Sequence, residues 1–185
     1  MPQESWYFFL ALEADLDATA RYVEPAPPND STYSIEFARI LMSAAAEIEV
    51  VASGLTRQLD KLPARPTIDD LRICFQKHYP KLPAMEVLVP RCSRKLAPWS
   101  AWAGQTNPSW WTAYNKVKHD RHAAFASATL SNALNAVGGL LCLQLYLHRD
   151  LYKRGALEPW CKLLTLDGHY EGIVAGAGGL LPDFP

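Results

Sequence analysis

Apolar residues recur at intervals of three and four in several stretches of this chain, and that spacing predicts helices. Between Trp6 and Val23 the residues Phe9, Leu12, Leu16, Ala20 and Val23 fall on one stripe, with Glu13, Asp15 and Asp17 left for the polar side. "EPAPPND" then stops the helix, because proline lacks an amide donor and its ring clashes with the preceding turn. The strongest signal is Tyr33, Phe37, Ile40, Leu41, Ala44, Ile48, Val51, Ala52 and Leu55, which predicts a helix from about Ser34 to about Asp60. Another stripe, Leu130, Leu134, Val137, Leu141 and Leu145, predicts a helix from about Ala124 to His148. Gly138 and Gly139 interrupt it at a propensity cost of about 1 kcal/mol each relative to alanine. Close packing against Ala44-Ala45-Ala46 is the expected compensation.

Shorter elements lie between. Thr67 followed by Asp70 resembles a capping box with Asp in place of Glu, opening a helix to about His78. "AMEVLVPRCSRKLAPWSAW" is rich in proline and turn formers but holds a β-type run, Met85 to Val89. It reads as a small irregular or β-hairpin insertion at about residues 84–103. Asn107 and Pro108 read as a cap and a first helical residue, starting a helix through Trp110, Trp111, Tyr114 and Val117 to His119 or Asp120. Residues 160–185 read as an irregular tail, and its "GAGGLL" lacks both the third glycine and the following helix of a dinucleotide loop. The expected fold is all-α: an antiparallel bundle of four to five main helices in a single domain over residues 1–185.

A length of 185 residues fits one domain, and 49% hydrophobic residues is enough for a sizeable core. The net charge of -1 gives no global field for nucleic acid or acidic lipid, so any anion site must be local. Cys74, Cys92, Cys142 and Cys161 form no C-x-x-C pair, which makes a reducing cytoplasm the expected setting. The N-terminal stretch has no basic start, and no apolar run approaches the ~20 residues of a membrane span; "LLCLQLYLH" is broken by Gln144. Neither a signal peptide nor a membrane partner is expected. The chain has no G-x-S-x-G, Walker loop, H-E-x-x-H or E-x-x-H. His119, Asp120 and His122 are too few for a metal, so no metal and no cofactor are expected.

The candidate chemistry sits in "YNKVKHDRH", Tyr114 to His122. On a helix, Trp111, Asn115 and His119 share a face, and Tyr114, Lys118 and Arg121 form an adjoining stripe if the helix persists. An amide, an imidazole, an ammonium and a guanidinium would then converge, a set suited to phosphodiester chemistry without a metal. A structural reading stands beside this one. Helix C-termini attract Lys, Arg and His through the macrodipole, and Glu47 or Glu49 could clamp Arg121.

This segment resembles the signature of the HEPN superfamily, in which an arginine, often followed by asparagine, precedes a histidine by a few positions. Asn115 and His119 occupy the matching places, while Tyr114 stands where the arginine belongs and Arg121 follows the histidine. "YSIEFARILMSAAAEIEVVA" also resembles a bundle helix of that superfamily. The resemblance spans about residues 6–60 and 105–150. It implies a small helical bundle acting as a metal-independent endoribonuclease of a prokaryotic defence or toxin–antitoxin system. RNA, a second copy of the chain and an antitoxin or other protein are the implied partners. His119 would be general acid or base, Asn115 its orienting group and Arg121 the phosphate clamp. Lys118, Tyr114, Lys116 and His122 would contact substrate. Trp99, Trp102, Trp110 and Trp111 could stack bases or belong to the core. The alternative is a non-catalytic helical interaction module in which the same segment is a structural clamp.

Overall fold

The computed structural model of the chain describes residues 2–57 and 59–166. Five longer helices are joined by two short ones and a small antiparallel sheet. The helices are α1 (Pro2–Thr19), α2 (Ile35–Thr56), α3 (Ile68–His78), α4 (Ser109–His119), α5 (Arg121–Ala124), α6 (Leu130–Leu147) and α7 (Arg149–Lys153). The strands are β1 (Val87–Val89), β2 (Arg94–Leu96) and β3 (Thr165–Leu166). This is the expected helical bundle with its hairpin insertion.

Local chemistry fixes the helix starts. Ser34 caps α2 by accepting the Phe37 amide. Thr67 and Asp70 form the full reciprocal capping box on α3. Pro108, not Asn107, is the residue before α4, and the Asn107 side chain instead contacts Arg72 and Asp69. The helix expected from Ala124 begins at Leu130, because Thr129 accepts the Asn132 amide and caps α6 there.

α6 is the central element. It packs most extensively on α2, and also on α1 and α4. By length and composition α6 is apolar enough to cross a membrane, yet most of it is buried in the bundle. Its Gln144 is fully buried and donates to the backbone oxygen and the hydroxyl of Ser5 on α1.

The two glycines of α6 face the insertion, not the alanines of α2. A Cβ on Gly138 would meet Leu96 and Val87 at 3.6 Å, and one on Gly139 would meet the Trp99 indole at 3.3 Å. The hairpin therefore seats on α6 where side chains are missing. The two positions differ in tolerance: 3.6 Å is ordinary contact, so Gly138→Ala gains helix propensity without a clash. It should raise stability by about 0.5–1 kcal/mol, a Tm rise of about 1–4 °C by thermal denaturation.

β1 pairs with β2 through Val87↔Leu96 and Val89↔Arg94. It pairs with β3 through Val87↔Leu166 on its other edge. The expected patternless tail thus contributes a strand; the remainder of that tail, with "GAGGLL", lies outside the described residues. Glu13 holds this return segment. Expected on a polar face, it is instead buried at 2% exposure, and its Oε1 accepts the amides of Lys162 at 2.8 Å, Leu164 at 3.1 Å and Leu163.

Candidate functional site

The first half of α4 belongs to the core. Trp99, Trp102, Trp110 and Trp111 are all buried, so none of the four presents a face to bases. Trp99 packs against Trp102 with ring centroids 4.3 Å apart and against Trp110 at 5.2 Å. The Trp99 indole donates to the Gly139 carbonyl at 3.0 Å, and the Trp110 indole to the Pro98 carbonyl at 2.8 Å. This aromatic seam fixes α4 against the insertion and α6.

Tyr114 continues the seam. Its ring packs on Trp111, and its hydroxyl emerges between α4 and α2 to donate to Glu49 Oε1 at 3.1 Å. Lys118, one turn on, donates to the Tyr114 oxygen at 3.0 Å and lies over its ring at 5.0 Å. Burial raises the Tyr114 pKa, outweighing the lowering by the Lys118 hydrogen bond. The Lys118 pKa is raised chiefly by the Tyr114 oxygen that accepts its proton. This lysine–tyrosine–glutamate relay is a tether between helices. Tyr114 thus joins α4 to α2 through its hydroxyl.

Asn115 and His119 share the outer face of α4, one turn apart. The Asn115 amide donates back to the Trp111 carbonyl at 3.1 Å, and His119 is exposed. The helix then breaks. Asp120, at φ -145° and ψ 77°, ends α4 and caps α5 by accepting the Ala123 amide at 3.1 Å. Arg121 therefore does not continue the Tyr114–Lys118 stripe, because that stripe required an unbroken helix. The expected clamp is also missing: Glu49 takes Tyr114, and Glu47 accepts the Ser5 hydroxyl at 2.7 Å.

What the break creates is an exposed corner. Lys116, His119, Arg121 and His122 all reach solvent within seven residues. Among the described residues no carboxylate forms an ion pair with any of them. Asp120, the acid in their midst, is occupied as a cap. The arrangement can hold an anion by several flexible cations. The break at Asp120 takes Arg121 off the helical stripe on which amide, imidazole and guanidinium were expected to converge.

The fold assembles a second cluster, away from the basic corner. Asp60, after α2, and Cys74 and His78, one turn apart on α3, place a carboxylate oxygen, a sulfur and a ring nitrogen within 4.8 Å of one another. The signal was available: C-x-x-x-H on a capped helix puts both side chains on one face. Nothing in the sequence says that Asp60 returns to that face. Comparison with protein-family models, with curated proteins and with solved structures finds no match to this chain.

Proposed function

We propose that the α4–α5 corner binds RNA through its phosphates. The observation that carries this reading is the set of four exposed basic side chains, Lys116, His119, Arg121 and His122, left without ion pairs among the described residues. Macrodipole compensation explains basic residues at the end of α4. It does not account for Arg121 and His122, which stand past the break at Asp120 on the single turn of α5, beyond the end of α4.

The geometry favours binding over cleavage in a single copy. The phenol at 114 is buried in a tether, the Asn115 amide is bonded to backbone, and Arg121 lies past the helix break. Strand scission would need a second copy to bring its Arg121 beside His119. Self-association is therefore part of the cleaving form of this proposal, together with the cytoplasmic defence role and protein antitoxin that the HEPN resemblance implies. A second reading, an interaction module, draws on an apolar groove of about 410 Å³ lined by Phe8, Val50, Val51 and Leu147. Phe8 and Val50 there are exposed.

Fluorescence anisotropy with a labelled single-stranded RNA tests the proposal. The wild type should bind at low salt, and Lys116→Ala combined with Arg121→Ala should weaken binding about tenfold or more. Run in EDTA, the same mixture reports cleavage on a gel. Intact, bound RNA supports the binding form; fragments lost in His119→Ala support the cleaving form. Absence of binding in the wild type would leave the interaction module.

A further inference from the structure

We infer that Asp60, Cys74 and His78 form a binding site for a zinc-class divalent cation, with a coordination position left open to solvent. The site is separate from the basic corner and independent of the RNA proposal.

Three features of the geometry point to it. The first is the donor set. One thiolate, one imidazole and one carboxylate is a combination suited to a borderline-soft ion that takes four ligands in a tetrahedron. Three protein ligands leave one position for water or an exogenous oxygen.

The second is spacing. Bond lengths of about 2.0–2.3 Å place tetrahedral ligand atoms about 3.3–3.8 Å apart. The His78 Nε2 and Asp60 Oδ2 atoms are 3.1 Å apart, and the three donor atoms lie within 4.8 Å of one another. Small side-chain adjustments close the remainder. Cys74 and His78 come from a rigid, capped helix, so two of the three ligands are held before the ion arrives.

The third is the surroundings. Asp60 uses Oδ2 towards His78 while Oδ1 accepts Lys77 at 2.7 Å. Lys77 thus keeps its partner when Oδ2 turns to a metal, as an outer group orienting the carboxylate. Cys74 is buried at 1% exposure, whereas Asp60 and His78 are part-exposed. A pocket of about 240 Å³, lined by Thr56, Asp60, Lys61 and Leu62 among others, opens beside the carboxylate. His78 and Lys77 both hydrogen-bond to the Asp60 carboxylate.

Binding would form a metal–sulfur bond and release the thiol proton to solvent, with no change of oxidation state. His78 would bind through Nε2 with its ring proton on Nδ1. The carboxylate needs no proton change.

Cobalt(II) is the probe. The reduced, full-length protein is titrated with cobalt chloride and followed by absorption. The inference expects a thiolate-to-cobalt charge-transfer band that saturates at one equivalent. Cys74→Ser should abolish that band, and Asp60→Asn and His78→Gln should each weaken binding about tenfold or more. Zinc should displace the cobalt and raise the wild-type Tm, with no rise in Cys74→Ser. A wild-type titration without the band overturns the inference. So does a band that survives in Cys74→Ser, which would place the metal on another cysteine. Circular dichroism on each variant separates lost binding from lost folding. Should Cys74→Ser fail to fold, the wild-type spectrum and the two remaining variants decide.

Discussion

Glu13→Ala should destabilise the protein by about 3 kcal/mol and lower Tm by about 6–12 °C. The alanine leaves the amides of Lys162, Leu163 and Leu164 without an acceptor in a buried place. It also frees the segment that delivers β3 to the sheet edge. Glu13→Gln is the informative control. All three amides converge on Oε1, and an amide side chain retains a carbonyl oxygen there, so the expected loss is under about 1 kcal/mol. The pH dependence has a definite sign. Burial raises the Glu13 pKa, the three amides lower it, and Asp17 raises it again, with a net upward shift from 4.5. The folded state thus holds this proton more tightly than the unfolded chain. The contribution is fully present below the ordinary carboxylate range and is lost as pH rises through the raised value. Urea denaturation of wild type and Glu13→Gln across that window should show the slope in the first and not the second. Equal losses in the glutamine and alanine variants would mean that the ionised carboxylate itself is required.

Trp99→Ala should cost about 3–5 kcal/mol, the range for emptying a large buried aromatic site. The indole is fully buried, lies beside Trp102 and Trp110, and holds the Gly139 carbonyl. The change also tests the core role of the tryptophans against the stacking role expected from the sequence. A core residue lowers Tm and leaves the RNA affinity of the folded protein unchanged. A stacking platform would lose affinity by about 1–3 kcal/mol per base with little effect on folding. Thermal denaturation paired with anisotropy below Tm distinguishes them. An undiminished Tm with weakened RNA binding would contradict the buried seam.

The bundle was legible because its stripes are long. Phe37, Ile40, Leu41, Ala44, Ile48, Val51 and Ala52 repeat over more than four turns of α2, and all are buried. The capping pair Thr67 and Asp70 was equally local and equally readable. What failed needed tertiary information. Gly138 and Gly139 declared a close approach, but the sequence could not say that the partner is the hairpin and Trp99 instead of Ala44-Ala45-Ala46. Glu13 was indistinguishable from Asp15 and Asp17 until a segment about 150 residues away supplied three amides.

The site was legible in composition and not in geometry. The basic cluster at residues 116–122 is where the sequence put it. Its expected convergence rested on a continuous helix, and Asp120, read only as a nearby acid, is the cap that breaks it. A helix former there would have kept Arg121 on the stripe with Tyr114 and Lys118. Tyr114 acquires a meaning the sequence did not carry: its hydroxyl links Lys118 to Glu49 across two helices.

The salt dependence of RNA affinity tests the central claim most directly. Each phosphate contact on a single strand contributes about -0.7 to the slope of log K against log salt. Contacts from Lys116, Arg121 and one further basic group of the corner give a wild-type slope of about -2. Removing Lys116 and Arg121 together should flatten it by about 1.4 while leaving Tm unchanged, since both side chains are exposed and unpaired among the described residues. A slope identical in wild type and variant would place the phosphates elsewhere and contradict the account.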